Sequence, residues 1–410
     1  MSLTKATYSM VDGAPANVLD FGATGDGTTD DAPAIQAAVN ASRSVYIPQS
    51  TGAFYRCNSP IVLRQDNVIT GANKQNTSVK FFGCSGFTAT SSGAGAYDIQ
   101  IRNLYIQGDG VGATSDGVFI DGTSANFGRV DIDNVIIGNF GRDGLKLIKP
   151  IVSQLRLVQS SNNGRHGFYI QGDGTSVFAS TSYASLNGGD GWYIENNIQY
   201  SAFDACASDS NTGNGWHFNG TPSLPAEGIT LSSCGSEVNV GDQFKFTCTL
   251  ALTLNGIFTF PGSPAAGGNF LTLNGARHVS INGVRMAATA PVGKFALNID
   301  NFGGLQFPTD ISLNGCNFSS TNATPDQIID VNALPRFKNG AGTYSNGNTI
   351  THGLGTTPNN VFISTGSATI QAAAINITST TFDITIYDVG ASPVTPVSNQ
   401  ACKWQASWQA

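Results

Sequence analysis

Apolar and polar residues alternate along most of the chain in short runs, each closed by a turn rich in Gly, Asn or Asp. Between residues 116 and 246 this becomes a repeat: a polar turn residue, a Gly, then three residues whose outer members are apolar. The instances are Asp116-Gly117-Val118-Phe119-Ile120, Asp143-Gly144-Leu145-Lys146-Leu147, His166-Gly167-Phe168-Tyr169-Ile170, Asp190-Gly191-Trp192-Tyr193-Ile194, Asn214-Gly215-Trp216-His217-Phe218 and a degenerate Asp242-Gln243-Phe244-Lys245-Phe246, starting 27, 23, 24, 24 and 28 residues apart. Such a period with β-type residues leaves a β-solenoid or a leucine-rich repeat, and the second fails because its L-x-x-L-x-L spacing is absent. A further alternation recurs in each repeat: Ile132 and Val135, Leu155 and Val158, Ala179 and Ser182, Phe203 and Cys206, Leu231 and Cys234. Each coil therefore supplies several short strands whose inward residues stack on those one coil away, about 4.8 Å distant. The expected architecture is three parallel sheets around a narrow core, running less regularly to about residue 330.

The open ends of such a solenoid need covers. Residues 30–41 are the one convincing helix, with Thr29 or Asp30 as N-cap, Pro33 in the first turn, and Ile35, Ala38 and Val39 as the apolar stripe. At the other end Pro335 to Asn348 is Gly and Asn rich and breaks the pattern. Five β-type runs follow (Thr349 to Leu354, Asn360 to Ser364, Thr369 to Thr378, Phe382 to Tyr387, Cys402 to Trp408), which predicts a small antiparallel β-sandwich. The chain divides into an N-terminal cap and entry segment, 1–60, a parallel β-helix, 61–334, and the sandwich, 335–410, for trimerisation or glycan binding.

Composition supports an all-β reading. Only 11% of the 410 residues are charged and 49 are Gly, against a typical charged fraction of about 25%. Amphipathic helices and coiled coils need more charge, and the aromatic content opposes disorder. A net charge of −7 without a Lys/Arg cluster argues against nucleic acid or an anionic membrane as partner. No apolar run is long enough to span a membrane, and Met1 to Met10 lacks the apolar core of a signal peptide. The seven cysteines form no CxxC and no zinc spacing, so buried free thiols are expected, with no metal and no cofactor.

The segment Asn17-Val18-Leu19-Asp20-Phe21-Gly22-Ala23-Thr24-Gly25-Asp26-Gly27-Thr28-Thr29-Asp30-Asp31, then Ala34-Ile35-Gln36-Ala37-Ala38 and Val45-Tyr46-Ile47-Pro48, resembles the opening of the pectate-lyase-like superfamily of right-handed β-helices. With Tyr8-Ser9-Met10-Val11-Asp12-Gly13-Ala14-Pro15 before it, it looks most like the variant in bacteriophage tailspikes and tail-associated depolymerases. Thr351-His352-Gly353-Leu354-Gly355-Thr356-Thr357-Pro358 is similar to C-terminal modules of phage tail proteins. The resemblance implies a right-handed helix, a homotrimer, a virion tail or baseplate setting and a bacterial surface polysaccharide as ligand. It carries over no catalytic residue: the calcium-binding aspartates of pectate lyases and the N-T-D, D-D and G-H-G signatures of polygalacturonases are absent.

Candidate sites therefore come from ladders. With the first and third residues after each turn Gly inward, the second faces out, giving Phe119, Lys146, Tyr169, Tyr193, His217 and Lys245. Aromatic rings with polar tips suit sugar stacking, although a covered interface would use them equally well. The turn ladder Asp116, Asp143, His166, Asp190, Asn214, Asp242 is ordinary turn chemistry, with His166 and Arg165 available for a site. Five residues before the turns stand Ser161, Ser185, Asp209 and Glu237, given a short insertion at Thr221 to Ala226. Asp209 and Glu237 on neighbouring coils would be about 5 to 8 Å apart, a glycosidase separation, or else a solvated pair of turn acids. Glu195, one of three Glu in the chain, ends the Tyr193 strand, with Asp173 near the same corner. The leading expectation is a polysaccharide depolymerase of endo-glycosidase type with acids drawn from Asp209, Glu237, Glu195 and Asp173, and Tyr169, Tyr193, His217, Lys146, His166 and Arg165 holding the glycan. A lyase, with Lys146, Lys245, His217 or Arg165 neutralising a uronate carboxyl, and a non-enzymatic receptor-binding spike are the alternatives.

Overall fold

The computed structural model describes residues 13–92, 98–110, 114–260 and 267–286, and from there to 407 mainly strands and a few single positions. Three parallel sheets of thirteen, eleven and ten strands wind as a right-handed β-helix of about ten coils. The first runs from Ala16–Asn17 to Thr309–Asn314, the second from Ile61–Val62 to Ile329–Val331, the third from Tyr55–Cys57 to Arg285–Met286. Strands Ser44–Ile47 and Tyr55–Cys57 already belong to the first coil, so the helix starts before the expected boundary at 61.

Inward positions stack as the alternation requires. Val118, Ile120, Leu145, Leu147, Phe168, Ile170, Trp192, Ile194, Trp216 and Phe218 are all buried. Phe168, Trp192, Trp216 and Phe244 lie face to face along the axis, with centroids 3.8, 4.8 and 6.2 Å apart. The indole N–H groups of Trp192 and Trp216 donate to the carbonyls of Ala207 and Gly235, so the large rings enter the core without an unpaired donor. A buried asparagine ladder, Asn163, Asn187, Asn211 and Asn239, fixes the bend before the second sheet. Each side-chain oxygen accepts the backbone N–H of the rung before it, at 3.1, 3.1, 3.0 and 3.0 Å.

The capping helix α1 spans Ala32–Ala41, two residues later than read, with Ile35, Ala38 and Val39 fully buried. The Asp31 carboxylate is drawn away from the helix to the amides of Thr24 and Gly25, at 2.6 and 3.1 Å, while Asp30 accepts from the Ala32 amide.

Two antiparallel sheets follow, of three and four strands. Strands Asn360–Ser364, Ile370–Ile375, Thr381–Asp388 and Gln400–Ser407 fall where expected. Thr349–Thr351 is described only in part of its run, since 352–359 and Trp408 lie outside the described residues. Phe337–Tyr344 corrects the reading of 335–348 as a break: it pairs with Gln400–Ser407 at all eight positions. Its Gly-Ala-Gly centre has little strand preference of its own, and the partner strand supplies it.

From the third coil on, the turn from the first to the third sheet is left-handed at the same rung of eight successive coils. Its occupants are Asn103, Asn134, Leu157, Thr181, Ala205, Ser233, Gly256 and Gly283, with φ between 49° and 62°. Asn and Gly suit this conformation, whereas Leu157 is strained there and 47% exposed. Leu157→Asn is therefore expected to stabilise the protein by about 1 kcal/mol, read as a higher urea midpoint; an unchanged or lower midpoint refutes it.

Candidate functional site

On the outer face of the second sheet, Phe119, Lys146, Tyr169, Tyr193, His217 and Lys245 occupy consecutive rungs, in the register read from the sequence. Lys146 Nζ lies 5.1 Å from the ring centroids of both Phe119 and Tyr169, and its pKa is lowered, chiefly by burial. His166, from the turn below, stacks on Tyr193 at 4.5 Å and meets Tyr169 edge-on. Tyr193 is edge-on to Tyr169 and to His217, each at 5.2 Å. The Tyr169 hydroxyl donates to Glu195, and the Asn219 amide donates to the Tyr193 hydroxyl at 2.8 Å. Burial and Glu195 together raise the Tyr169 pKa.

Beneath this face the turn residues form a polar spine. Asp116 and Asp143 are completely buried, each clasped by both ends of a guanidinium, Arg142 on Asp116 and Arg165 on Asp143. Their oxygens also accept the next rung's amides, Asp143 N at 3.2 Å and His166 N at 3.1 Å. His166 Nδ1 accepts the Asp190 amide at 3.0 Å, which puts the neutral ring's proton on Nε2; burial lowers its pKa against the pull of Asp143 and Asp190.

Asp190 turns this spine into possible chemistry. Its Oδ1 takes the Asn214 amide at 2.5 Å and side-chain nitrogen at 2.9 Å, and its Oδ2 lies 3.0 Å from His217 Nδ1. Burial pushes the Asp190 carboxyl up, but His217, the Asn214 amide and His166 outweigh it, and the pKa falls below the ordinary carboxylate value. The imidazole is thus oriented through Nδ1, and its Nε2 is buried without a hydrogen-bond partner among the described residues.

The other expected acids lie elsewhere. Asp209 and Glu237 are adjacent rungs, and the tight turn at Thr221–Leu224 absorbs the expected insertion, but they stand on the third sheet, away from the aromatic ladder's sheet. Asp209 accepts from Tyr183 and Ser210 hydroxyls, both at 2.7 Å. Asp173 is a half-exposed corner residue held by Lys149 at 3.4 Å and Asn197 at 2.9 Å. Arg165 is committed to Asp143, with its plane 5.0 Å from the Tyr169 ring. Asp190, Asn214, Asn219 and Arg142 were not singled out as site residues. The available signal was that each turn residue sits three before a ladder residue. Among the described residues, no group of three His, Cys, Asp or Glu could hold a metal, and no helix is long and apolar enough to cross a membrane.

Known proteins resemble parts of this chain. "Alginate lyase 7" of Azotobacter vinelandii is 28% identical over 38% of this chain and 23% of its own length. The "Preneck appendage protein" of Bacillus phage PZA is 38% identical over 16% of this chain and 7% of its own. The chain thus spans less than a quarter of the length of these curated relatives. The solved A-module of a mannuronan C-5 epimerase from Azotobacter vinelandii superposes with a TM-score of 0.58 at 20% identity, covering 77% of this chain and 97% of the module, a likeness of fold. The family described as "Rhamnogalacturonase A/epimerase, pectate lyase-like" matches residues 16–251, more than half the chain. The coils, their register and this match make the chain a member of that pectate-lyase-like family.

Proposed function

We propose that the protein processes an acidic polysaccharide laid along the second sheet, by removing the proton next to a uronate carboxyl. One observation carries this reading: the unpaired, buried Nε2 of His217, aimed by Asp190 and flanked in register by Tyr193 and Lys245. An acceptor on Nδ1 leaves the lone pair of a neutral ring on Nε2, which is the geometry of a general base. Lys245, one rung on, neutralises the carboxylate whose α-proton is removed; the glycosidic C4–O bond breaks as the C4–C5 double bond forms, and the departing oxygen takes its proton from solvent. Tyr169 and Tyr193 provide the stacking faces, with Glu195 and Asn219 holding their hydroxyls. The name of the alginate lyase relative supports an acidic glycan. The phage appendage relative supports a virion tail setting, and with it a bacterial surface polysaccharide as target; a homotrimer is part of the proposal on the strength of the resemblance alone.

Incubation with polyuronates and bacterial capsules is expected to produce the ultraviolet absorbance of unsaturated uronates together with shorter chains. Reducing ends released without that absorbance would overturn this in favour of hydrolysis. Hydrolysis has its own support, since Asp209 and Glu237 occupy adjacent rungs on strands about 4.8 Å apart, a spacing open to a glycosidase pair of carboxyl groups. Unchanged polymer size and structure with tight binding would leave a receptor-binding spike.

A further inference from the structure

We infer that Phe54, Arg56, Lys80 and Phe82, on the first coils of the third sheet, form a second subsite that binds a carboxylate-bearing sugar. The inference stands independently of the chemistry proposed for the second sheet. Arg56 and Lys80 are paired rungs of one outward ladder. Like charges stacked directly on neighbouring strands repel, so this arrangement is unfavourable unless an anion comes between them. No carboxylate is within ion-pairing reach of either among the described residues, whereas Arg102, Arg142, Arg156 and Arg165 all have aspartate partners. The nearby Asp30 carboxylate is taken by the amides of Ala32 and Asn58, and Arg56 Nε reaches only the Asn58 side chain, at 3.2 Å.

The two cations rest instead on aromatic faces. Arg56 Cζ lies 3.9 Å from the Phe82 centroid, and Lys80 Nζ lies 5.2 and 5.4 Å from Phe82 and Phe54. The rings, half-buried and 6.0 Å apart at 43°, form an open apolar angle at the surface. Contact with a ring holds a cation in place without neutralising it, so both keep donors for a charge-assisted bond to a carboxylate. Two cations beside two rings match a uronate, which offers a carboxylate on one side and a C–H face on the other.

The same ladder continues through Gln107, Gly138, Ser161 and Ser185 to Asp209 and Glu237. Its outer face is therefore cationic at one end and acidic at the other, with small residues between. A polyanion is attracted to the Arg56 end and repelled at Asp209 and Glu237. An acidic polymer would thus be anchored here rather than cut here.

Zero-length carbodiimide coupling of hexagalacturonate to the full-length chain, followed by peptide mapping, tests the subsite. Sugar carboxylates held against Lys80 form an amide there, and labelling of Lys80 is expected to exceed that of Lys74, which is half-buried like Lys80. Arg56→Gln and, separately, Phe82→Leu should each lower Lys80 labelling about tenfold, as loss of a charge-assisted bond or a stacking face predicts. Arg56→Lys should retain most of it, which separates lost charge from lost fold. Lys80 labelling no greater than that of Lys74, indifference to Arg56→Gln, or equal suppression by maltohexaose or by inorganic phosphate would overturn the proposal. Labelling of Lys146 or Lys245 in the same experiment reports separately on the second sheet.

Discussion

Replacing His217 with asparagine is expected to lower the rate of uronate proton abstraction by about 10²–10⁴-fold, the usual contribution of a positioned general base. The choice of asparagine follows from the geometry. Its amide nitrogen occupies the place of Nδ1 and keeps the donor that Asp190 Oδ2 now meets at 3.0 Å, while nothing replaces Nε2. Alanine would instead leave a buried carboxylate short of a partner and confound lost chemistry with lost fold. The expected signature is a fall in kcat with glycan affinity changed only slightly, because the stacking faces of Tyr169 and Tyr193 are untouched. Turnover that survives His217→Asn at near the parent rate removes His217 as the base. If that turnover is then lost in Asp209→Asn, the chemistry belongs to the third sheet.

How far such a site can be read from sequence follows from what a parallel coil fixes. Position along the axis is set by the repeat, so Tyr169, Tyr193 and His217 could be stacked on one another from their place after the turn Gly. Asp209 and Glu237 could be paired across an insertion for the same reason. Position around the axis is set by the bends, whose angles depend on buried turns such as the asparagine ladder. The sequence did show that ladder, as an Asn three residues before each turn residue from Asn163 to Asn239, yet a polar residue in a turn looks the same whether buried or exposed. That is why the acid pair and the aromatic ladder read as one site and stand on two sheets. Asp190 was hidden similarly. Asp-Gly is common turn chemistry, and only the packing of one coil on the next reveals that its free oxygen meets a histidine from the following coil.

The largest effect on stability is expected at Arg142, which no ligand need touch. Its guanidinium clasps Asp116 and lies 4.0 Å from Asp143, and both carboxylates are completely buried. Arg142→Met keeps much of the side chain's apolar length but leaves the Asp116 carboxylate, among the described residues, with the Asp143 amide at 3.2 Å as its remaining hydrogen bond. Breaking a buried pair by removing one partner costs about 3–5 kcal/mol, because the remaining charge is uncompensated. A fall of that size in unfolding free energy by urea denaturation is the expected result. The control is Asp116→Asn in the Arg142→Met background. An amide keeps an acceptor for the Asp143 N–H while removing the charge, so most of the loss should return. A loss under about 1 kcal/mol, or a double variant no better than the single, would mean that solvent at the partly exposed guanidinium already screens the pair. In the expected case, the carboxylate–guanidinium spine that supports the aromatic ladder is what holds Lys146 and Tyr169 in place for a glycan.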